Sequence, residues 1–266
     1  MHDEEFKFLA ATAYELSGIV LGEQKKELVY SRIARRIRAL NLSSFAAYCT
    51  YLTENKSTEV SNFINSITTN LTSFFREKHH FEFLQETALN EIRNKHARDK
   101  VVRIWSAGCS SGMEPYSIAM TCAAHSNWTG FDFKILATDL DSEVLAKAKA
   151  GIYRMEDVGN MPDKYKKFLE VSKDGEQARI KENIKDLIQF NRLNLLGEWP
   201  MRQKFDIIFC RNVIIYFNKE TQRELFSRYA AMLHDGGYLI IGHSESLHGV
   251  NQLFKPIGRT IYQKVM

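Results

Sequence analysis

Proline is scarce: four in 266 residues, with no low-complexity segment or internal repeat, leave nothing that would serve as a flexible linker. Cysteine is equally sparse. Cys49, Cys109, Cys122 and Cys210 are scattered without a C-x-x-C pair, which argues against a zinc knot and a disulfide framework. The eight histidines show no metal spacing either; His243 and His248 lie five apart, but Gly242 and Gly249 flank them and no cysteine or carboxylate cluster joins in. No metal is therefore expected. A strong charge of one sign is also missing, since a net +4 does not announce nucleic acid. No apolar run approaches the ~18 residues that span a bilayer, so no membrane insertion is expected. The opening MHDEEFKFLA is acidic where a signal peptide is basic, and the chain reads as cytosolic. With 44% hydrophobic and 26% charged residues, what remains is ordinary globular composition.

Up to about Asn62 the pattern is helical. Val29, Ile33, Ile37 and Leu40 fall on one helix face. Between Lys25 and Leu40 six basic side chains stand against Glu27 alone, and Arg32, Arg35 and Arg38 form a stripe beside that apolar face, with Lys25 and Arg36 on its flank. From Val101 strands alternate with helices: VVRIW, a glycine loop, the helix EPYSIAMTCAA, the strand FKILATDLD and the helix SEVLAKAKA. The strands LIQFNRLNLL and FDIIFCRN follow, then the helix KETQRELFSRYAAML, the strand GYLIIGHSE and a closing RTIYQKV. This order predicts an α/β fold with a doubly wound, mostly parallel sheet. About forty residues, Gly151 to Gln189, break the rhythm and carry Asp174-Gly175 between two strand-capable arms, a hairpin signal.

The loop in RIWSAGCSSGMEPYS raises the question of what it holds. A phosphate loop needs a lysine where Met113-Glu114 follow Gly112, and a dinucleotide loop needs a third glycine beyond Gly108 and Gly112. In both, Glu114 would repel the phosphates. S-adenosylmethionine has no phosphate. Its ammonium suits Glu114, and Asp139, at the end of the second strand, suits the ribose hydroxyls. Asp141-Ser142 already supply the cap of the following helix, which leaves Asp139 free for that role. Cys210 reads as a small buried residue, because no histidine is placed to activate it.

The blocks NSITTNLTSFFREKHHF, WSAGCSSGMEPYSIA, ATDLDSEVLAKAKAGIYR, FDIIFCRNVIIYF and GGYLIIGHSESL together resemble successive blocks of the chemotaxis receptor methyltransferases, the CheR family. The resemblance runs from about Ile64 to Tyr262. It implies a small all-helical N-terminal domain (1–62) that docks the receptor and a linker (63–76) that contributes to the cofactor site. The methyltransferase domain (77–266) follows, with a β-subdomain inserted at about 163–190. It also implies transfer of the methyl of S-adenosylmethionine to glutamates in the cytoplasmic helical bundle of chemoreceptors. The enzyme would be a monomeric cytoplasmic protein recruited to receptor arrays.

Carried over by position, Asn70, Thr72, Arg76, Gly108, Glu114 and Asp139 are implied as cofactor contacts. Asn194 and Leu195 would flank the adenine, with Arg211 and Asn212 nearby, and Arg76 and Tyr216 would lie near the transferring methyl. Arg32, Arg35 and Arg38 are the expected surface for an acidic receptor helix. The β-subdomain would grip a receptor C-terminal peptide, as in some family members, although this block matches least well. Met113 stands where relatives often have an acid. Two rivals fit less well: an amine-directed nucleic-acid methyltransferase would carry prolines where RNVIIY stands, and a silent adaptor would not need an intact TNLTSFFR, Glu114 and Asp139.

Overall fold

In the computed structural model the change of pattern near Val101 marks a change of architecture. The structure describes residues 1–96, 98–125, 130–247 and 252–265, so His248 and Gly249 lie outside the described residues. The N-terminal part is built from α1 (Asp3–Ser17), α2 (Lys26–Ala39), α3 (Phe45–Glu54) and α4 (Lys56–Ile67). Acids fill the first turn of α1 and left-handed Gly18 ends it, while Ser44 accepts from the Ala47 amide to start α3. Val29, Ile33 and Ile37 are buried as their spacing predicts, against Phe6, Leu9, Tyr48, Leu52 and Phe63. One charge sits inside this small core. Glu59, 1% exposed, takes a bidentate bond from Arg36 at 2.7 and 2.6 Å and a third from the Tyr48 hydroxyl at 3.0 Å. Arg36 thus faces inward across α2, α3 and α4 rather than flanking a surface stripe.

The connection to the sheet carries α5 (His79–Phe83) and α6 (Leu89–Lys95). β1 (Val101–Ala107) then opens a seven-stranded sheet. It is followed by α7 (Met113–Ala124), β2 (Asp132–Asp139) and α8 (Ser142–Ala150), whose cap is Asp141, as expected. The excursion contains β3 (Ile152–Arg154), α9 (Met155–Val158), α10 (Asp163–Lys166), β4 (Leu169–Val171), β5 (Gln177–Ile180) and α11 (Glu182–Lys185). β6 (Ile188–Arg192), β7 (Phe205–Cys210), α12 (Lys219–Met232), β8 (Leu233–Ile241), β9 (Phe254–Gly258) and β10 (Ile261–Lys264) complete the chain.

The large sheet has the order β6-β2-β1-β7-β8-β10-β9, parallel from β6 to β8, with β10 antiparallel to β8 and β9 antiparallel to β10. Strand periodicity divides its two cores. Val102, Ile104, Ile207, Phe209 and Tyr238 point toward α5 and α7, whereas Trp105, Ile208, Cys210 and Leu239 point toward α12. The Asp174-Gly175 hairpin forms with Gly175 left-handed and belongs to a separate sheet ordered β3-β5-β4. Its third strand, Ile152–Arg154, lies outside the hairpin that the sequence signals. No helix among the described residues is long and apolar enough to cross a membrane.

At the amino end of the strands His96 binds Asp206 through Nε2 (2.7 Å) and Asp99 through Nδ1 (3.0 Å), tying the end of α6 to β7. Burial opposes its charge, but Asp206 and Asp99 outweigh that and raise its pKa above the ordinary value. A raised folded-state pKa stabilises below the unfolded value near 6.5 and is lost as pH climbs through the folded one. The wild-type melting temperature should therefore fall between about pH 6 and pH 9 by more than that of His96→Gln. Thermal melts of both proteins over that range check this, and parallel pH profiles would refute it.

Candidate active site

A cleft opens at the carboxyl ends of β1, β2, β6 and β7, where chain order reverses across β1, and the helical domain closes it from the opposite side. Both glycines of the loop are there because a side chain would not fit. Gly108 has φ +89°, and a Cβ on it would lie 2.3 Å from Val213 Cγ2. Gly112 has φ +90° at the start of α7, and its Cβ would lie 2.8 Å from that of Ala148. The loop is thus packed against the segment after β7 on one side and against α8 on the other.

Asp139 ends β2 with its carboxylate at the cleft wall. Oδ2 accepts the Ser110 amide at 2.7 Å and Oδ1 the Asp141 amide at 3.0 Å, which fixes its orientation and leaves further lone pairs for a ligand. Burial raises its pKa despite those amides. Glu114 lies deeper, with Oε1 accepting from the Ser106 hydroxyl at 2.7 Å and Oε2 from Arg211 Nη1 at 3.0 Å. Burial pushes its pKa up, against the pull of Arg211 and Ser106. Its charge is therefore already answered by Arg211 before any ligand ammonium arrives, a partnership the sequence did not disclose.

Arg211, at the end of β7, also donates to the Arg76 carbonyl and stands 3.5 Å from Glu77 Oε2. Burial would raise the Glu77 carboxyl, but Arg211 and His243 outweigh it and hold it below its ordinary value. The neighbouring His80 ring is fully buried, and burial, with Arg211 beside it, pushes its pKa down to about 3.

The linker after α4 lays Asn70, Thr72 and Arg76 along the cleft. Asn70 donates to Asp141 Oδ2 at 2.7 Å and Arg76 to the Leu71 carbonyl at 3.0 Å. Asn194 and Leu195 line the cleft beyond β6; the Asn194 amide spans to the Leu16 carbonyl at 2.9 Å, so it also ties the two domains together. Asn212 and Tyr216 line it after β7, and Lys25 lies 5.0 Å above the Tyr216 ring. Burial, then Arg32, lowers the Lys25 pKa.

The fold brings together every cofactor and catalytic position expected from the sequence, but it divides the basic stripe. Arg32 turns inward into the cleft wall, donating to the Ile67 and Thr68 carbonyls at 2.8 and 2.6 Å, because those linker carbonyls at the end of α4 need a donor. Arg35 and Arg38 remain exposed. Sequence reasoning also missed Glu245. This buried carboxylate accepts the amides of Gly242 (2.6 Å), Asn212 (2.9 Å) and Ile215 (3.4 Å) and so holds the segment bearing Asn212, itself at φ +60°, and Tyr216. The only signal was an acid four residues past the end of a strand, in GHSE. Cys210 is buried and accepts from the Tyr229 hydroxyl at 3.2 Å, in keeping with its expected packing role.

A glycine-lined cleft at the switch point of this sheet, with carboxylates at two depths, is the site of an S-adenosylmethionine-dependent methyltransferase. Residues 4–68 match the CheR methyltransferase all-alpha domain and residues 70–263 its SAM-binding domain. The chain is 43% identical over 256 residues to a probable chemotaxis protein methyltransferase of Rhizobium etli, covering 94% of this chain and 96% of that one. It is 41% identical to chemotaxis protein methyltransferase 2 of Pseudomonas aeruginosa (97% and 92% covered) and 39% identical to the chemotaxis protein methyltransferase of Escherichia coli (98% and 91%). The chain belongs to the CheR family of chemotaxis protein methyltransferases, and its cofactor is S-adenosylmethionine.

If Asp139 accepts from the ribose, Asp139→Ala should lose at least one charge-assisted bond, roughly 1.5–3 kcal/mol, and so weaken S-adenosylhomocysteine binding about tenfold or more. Calorimetry decides this, with Asp139→Asn as a variant that keeps the size and much of the local bonding. Unchanged affinity in both would remove Asp139 from the site.

Proposed function

We propose that this protein transfers the methyl of S-adenosylmethionine to glutamate side chains in the cytoplasmic helical bundle of chemoreceptors, giving methyl esters during chemotactic adaptation. The observation that carries this reading is the make-up of the cleft. Among the described residues no histidine or cysteine lines it, its acids Glu114 and Asp139 are already hydrogen-bonded, and Lys25, Arg32 and Arg76 stand among the lining residues. A site without a free general base needs an acceptor that arrives as a nucleophile. A glutamate with an ordinary pKa near ~4.3 does so at neutral pH, and the cations suit its charge.

When bound, S-adenosylmethionine supplies a methyl on a cationic sulfonium, the group a carboxylate oxygen attacks directly. In this reading Asp139 holds the ribose, Glu114 with Arg211 fixes the polar tail, and Asn194 and Leu195 bound the adenine. Bulk water would favour the two separate charges over the neutral products, so a dry site would help. The chain's contribution is to align the groups and exclude solvent. Arg76 suits the acceptor-positioning role because its guanidinium is partly engaged by the Leu71 carbonyl and cannot hold a carboxylate with its full donor set. Tyr216 lines the same cleft, its backbone carbonyl accepting from the Val20 amide at 2.9 Å.

Exposed Arg35 and Arg38, three apart on α2, offer a positive face to an acidic receptor helix. Among the described residues β3 and β4 are the unpaired edges of the small sheet, and a receptor peptide would add to one of them as a strand. The enzyme would work as a cytoplasmic monomer at receptor arrays.

Incubation with methyl-labelled cofactor and receptor cytoplasmic fragments should give base-labile label released as methanol. Arg76→Ala should cut turnover at least about tenfold while the melting temperature stays near wild type. Label on nitrogen, or wild-type turnover in the variant, would refute the assignment.

A double reversal, R35E/R38E, should slow receptor methylation and flatten its salt dependence, since screening acts over ~8 Å at physiological strength. S-adenosylhomocysteine affinity should not change. Normal methylation at low and high salt would show that the face is merely solvated.

A further inference from the structure

The stretch REKHH, Arg76 to His80, carries more chemistry than the cleft uses. Glu77 Oε2, His79 Nε2 and His80 Nδ1 are buried and, among the described residues, have no hydrogen-bond partner. One ligand atom from each of these three residues lies within 4.8 Å of the others. The spacing of histidines along the chain gave no hint of this, because a left-handed turn at Glu77 (φ +58°) folds the carboxylate back over the two rings that follow it.

Neighbouring bonds suit the His80 tautomer that carries its proton on Nε2. The Thr260 hydroxyl lies 2.7 Å from the Arg259 carbonyl and 2.9 Å from His80 Nε2; with its proton on the carbonyl it accepts from His80 Nε2–H. Nδ1 is then a bare lone pair, and the atom it faces, 3.5 Å away, is Glu77 Oε2, a second acceptor. Among the described residues no group donates a hydrogen bond to either atom. Arg211 Nη2 is 3.5 Å from the same oxygen but makes its hydrogen bond to the Arg76 carbonyl. His243 holds only the other carboxylate oxygen, Oε1, at 3.1 Å. The gap calls for an electron-poor guest.

We propose that Glu77, His79 and His80 form a binding site for a divalent cation of the zinc class, and that filling it weakens cofactor binding through Arg211. Two imidazoles and a carboxylate are a zinc-class ligand set, which leaves a further position for water. The outer bond from His80 Nε2–H to Thr260 is the kind that orients a metal-bound histidine. Ligand atoms around zinc, at bonds of ~2.0–2.1 Å, stand ~3.3 Å apart, so the three side chains close in by less than ~1 Å each. Glu77 is shared: an ion that takes it removes an anion from beside Arg211 and adds a cation there. Arg211 also bonds Glu114 and the Arg76 carbonyl, so the change reaches the cleft. The ion is not part of methyl transfer. The site stands on the cluster alone, whereas the antagonism rests on the cofactor assignment and must be reciprocal.

Cobalt(II) titrated into tag-free, metal-free full-length protein should give one equivalent of imidazole-type visible absorption, which zinc displaces. His79→Gln, at a half-buried position, should bind zinc at least tenfold more weakly while keeping the wild-type circular dichroism, and His96→Gln should bind like wild type. Saturating zinc should weaken S-adenosylhomocysteine binding at least fivefold in wild type but not in His79→Gln. Missing cobalt bands, or equal zinc affinity in His79→Gln and wild type, overturn the site. A filled site with unchanged S-adenosylhomocysteine affinity overturns the coupling. Failure of S-adenosylhomocysteine to bind the metal-free protein would sink the cofactor assignment and the coupling with it, while the cobalt bands still decide the site.

Discussion

One buried guanidinium joins the parts on which the cleft depends. Arg211 ends β7, bonds the Glu114 carboxylate at the start of α7, bonds the backbone of the linker at Arg76 and neighbours Glu77. Three segments far apart in sequence are fixed by one planar donor, whose forked geometry suits such convergence better than a point charge would. An ion pair this deep contributes little net stability, since desolvation offsets most of its attraction. Its value lies in setting positions. With Arg211 in place, the acid at the helix start, the linker and the strand end cannot shift independently.

The helical domain is part of the cleft. Arg32 reaches from α2 to the linker carbonyls, Asn194 reaches back to α1, and Thr68 donates to Asp141, the cap of α8, at 2.7 Å. Gly18 lies so near Leu196 that a Cβ would fall 2.1 Å from its Cδ1. These contacts are polar or close-packed and local, so the domain adopts a definite pose over the carboxyl ends of the strands. The excursion after α8 is anchored too, with the Tyr153 hydroxyl donating to the Ser111 carbonyl in the glycine loop at 2.7 Å.

The alternation of strands and helices was legible because buried parallel strands such as FDIIFC are continuous apolar runs and the helices between them carry clear caps. β3 and β9 were not. Ile152–Arg154 is too short to show a period, and β9 contains Pro256, which speaks against a strand unless it lies at an edge, as it does here. Among site residues, those in the glycine loop and at strand ends could be found from position alone. Glu245 could not, because its role is to accept amides from a segment some thirty residues earlier, a contact only the fold creates. Arg32 misled for a related reason: periodicity places a residue on a helix face but does not say what lies beyond that face.

The cleft draws its walls from residues as far apart in the chain as Ser17 and Phe217. A nascent chain therefore has no complete binding site until most of it has been made, and neither domain alone presents one. Once the cleft exists, any molecule that fills it favours the docked pair of domains over every state in which they separate. At a concentration one hundred times its dissociation constant, such a ligand adds about 2.7 kcal/mol to the intact fold. By the same arithmetic, any occupant of the cleft ties the two domains together in proportion to how tightly it binds.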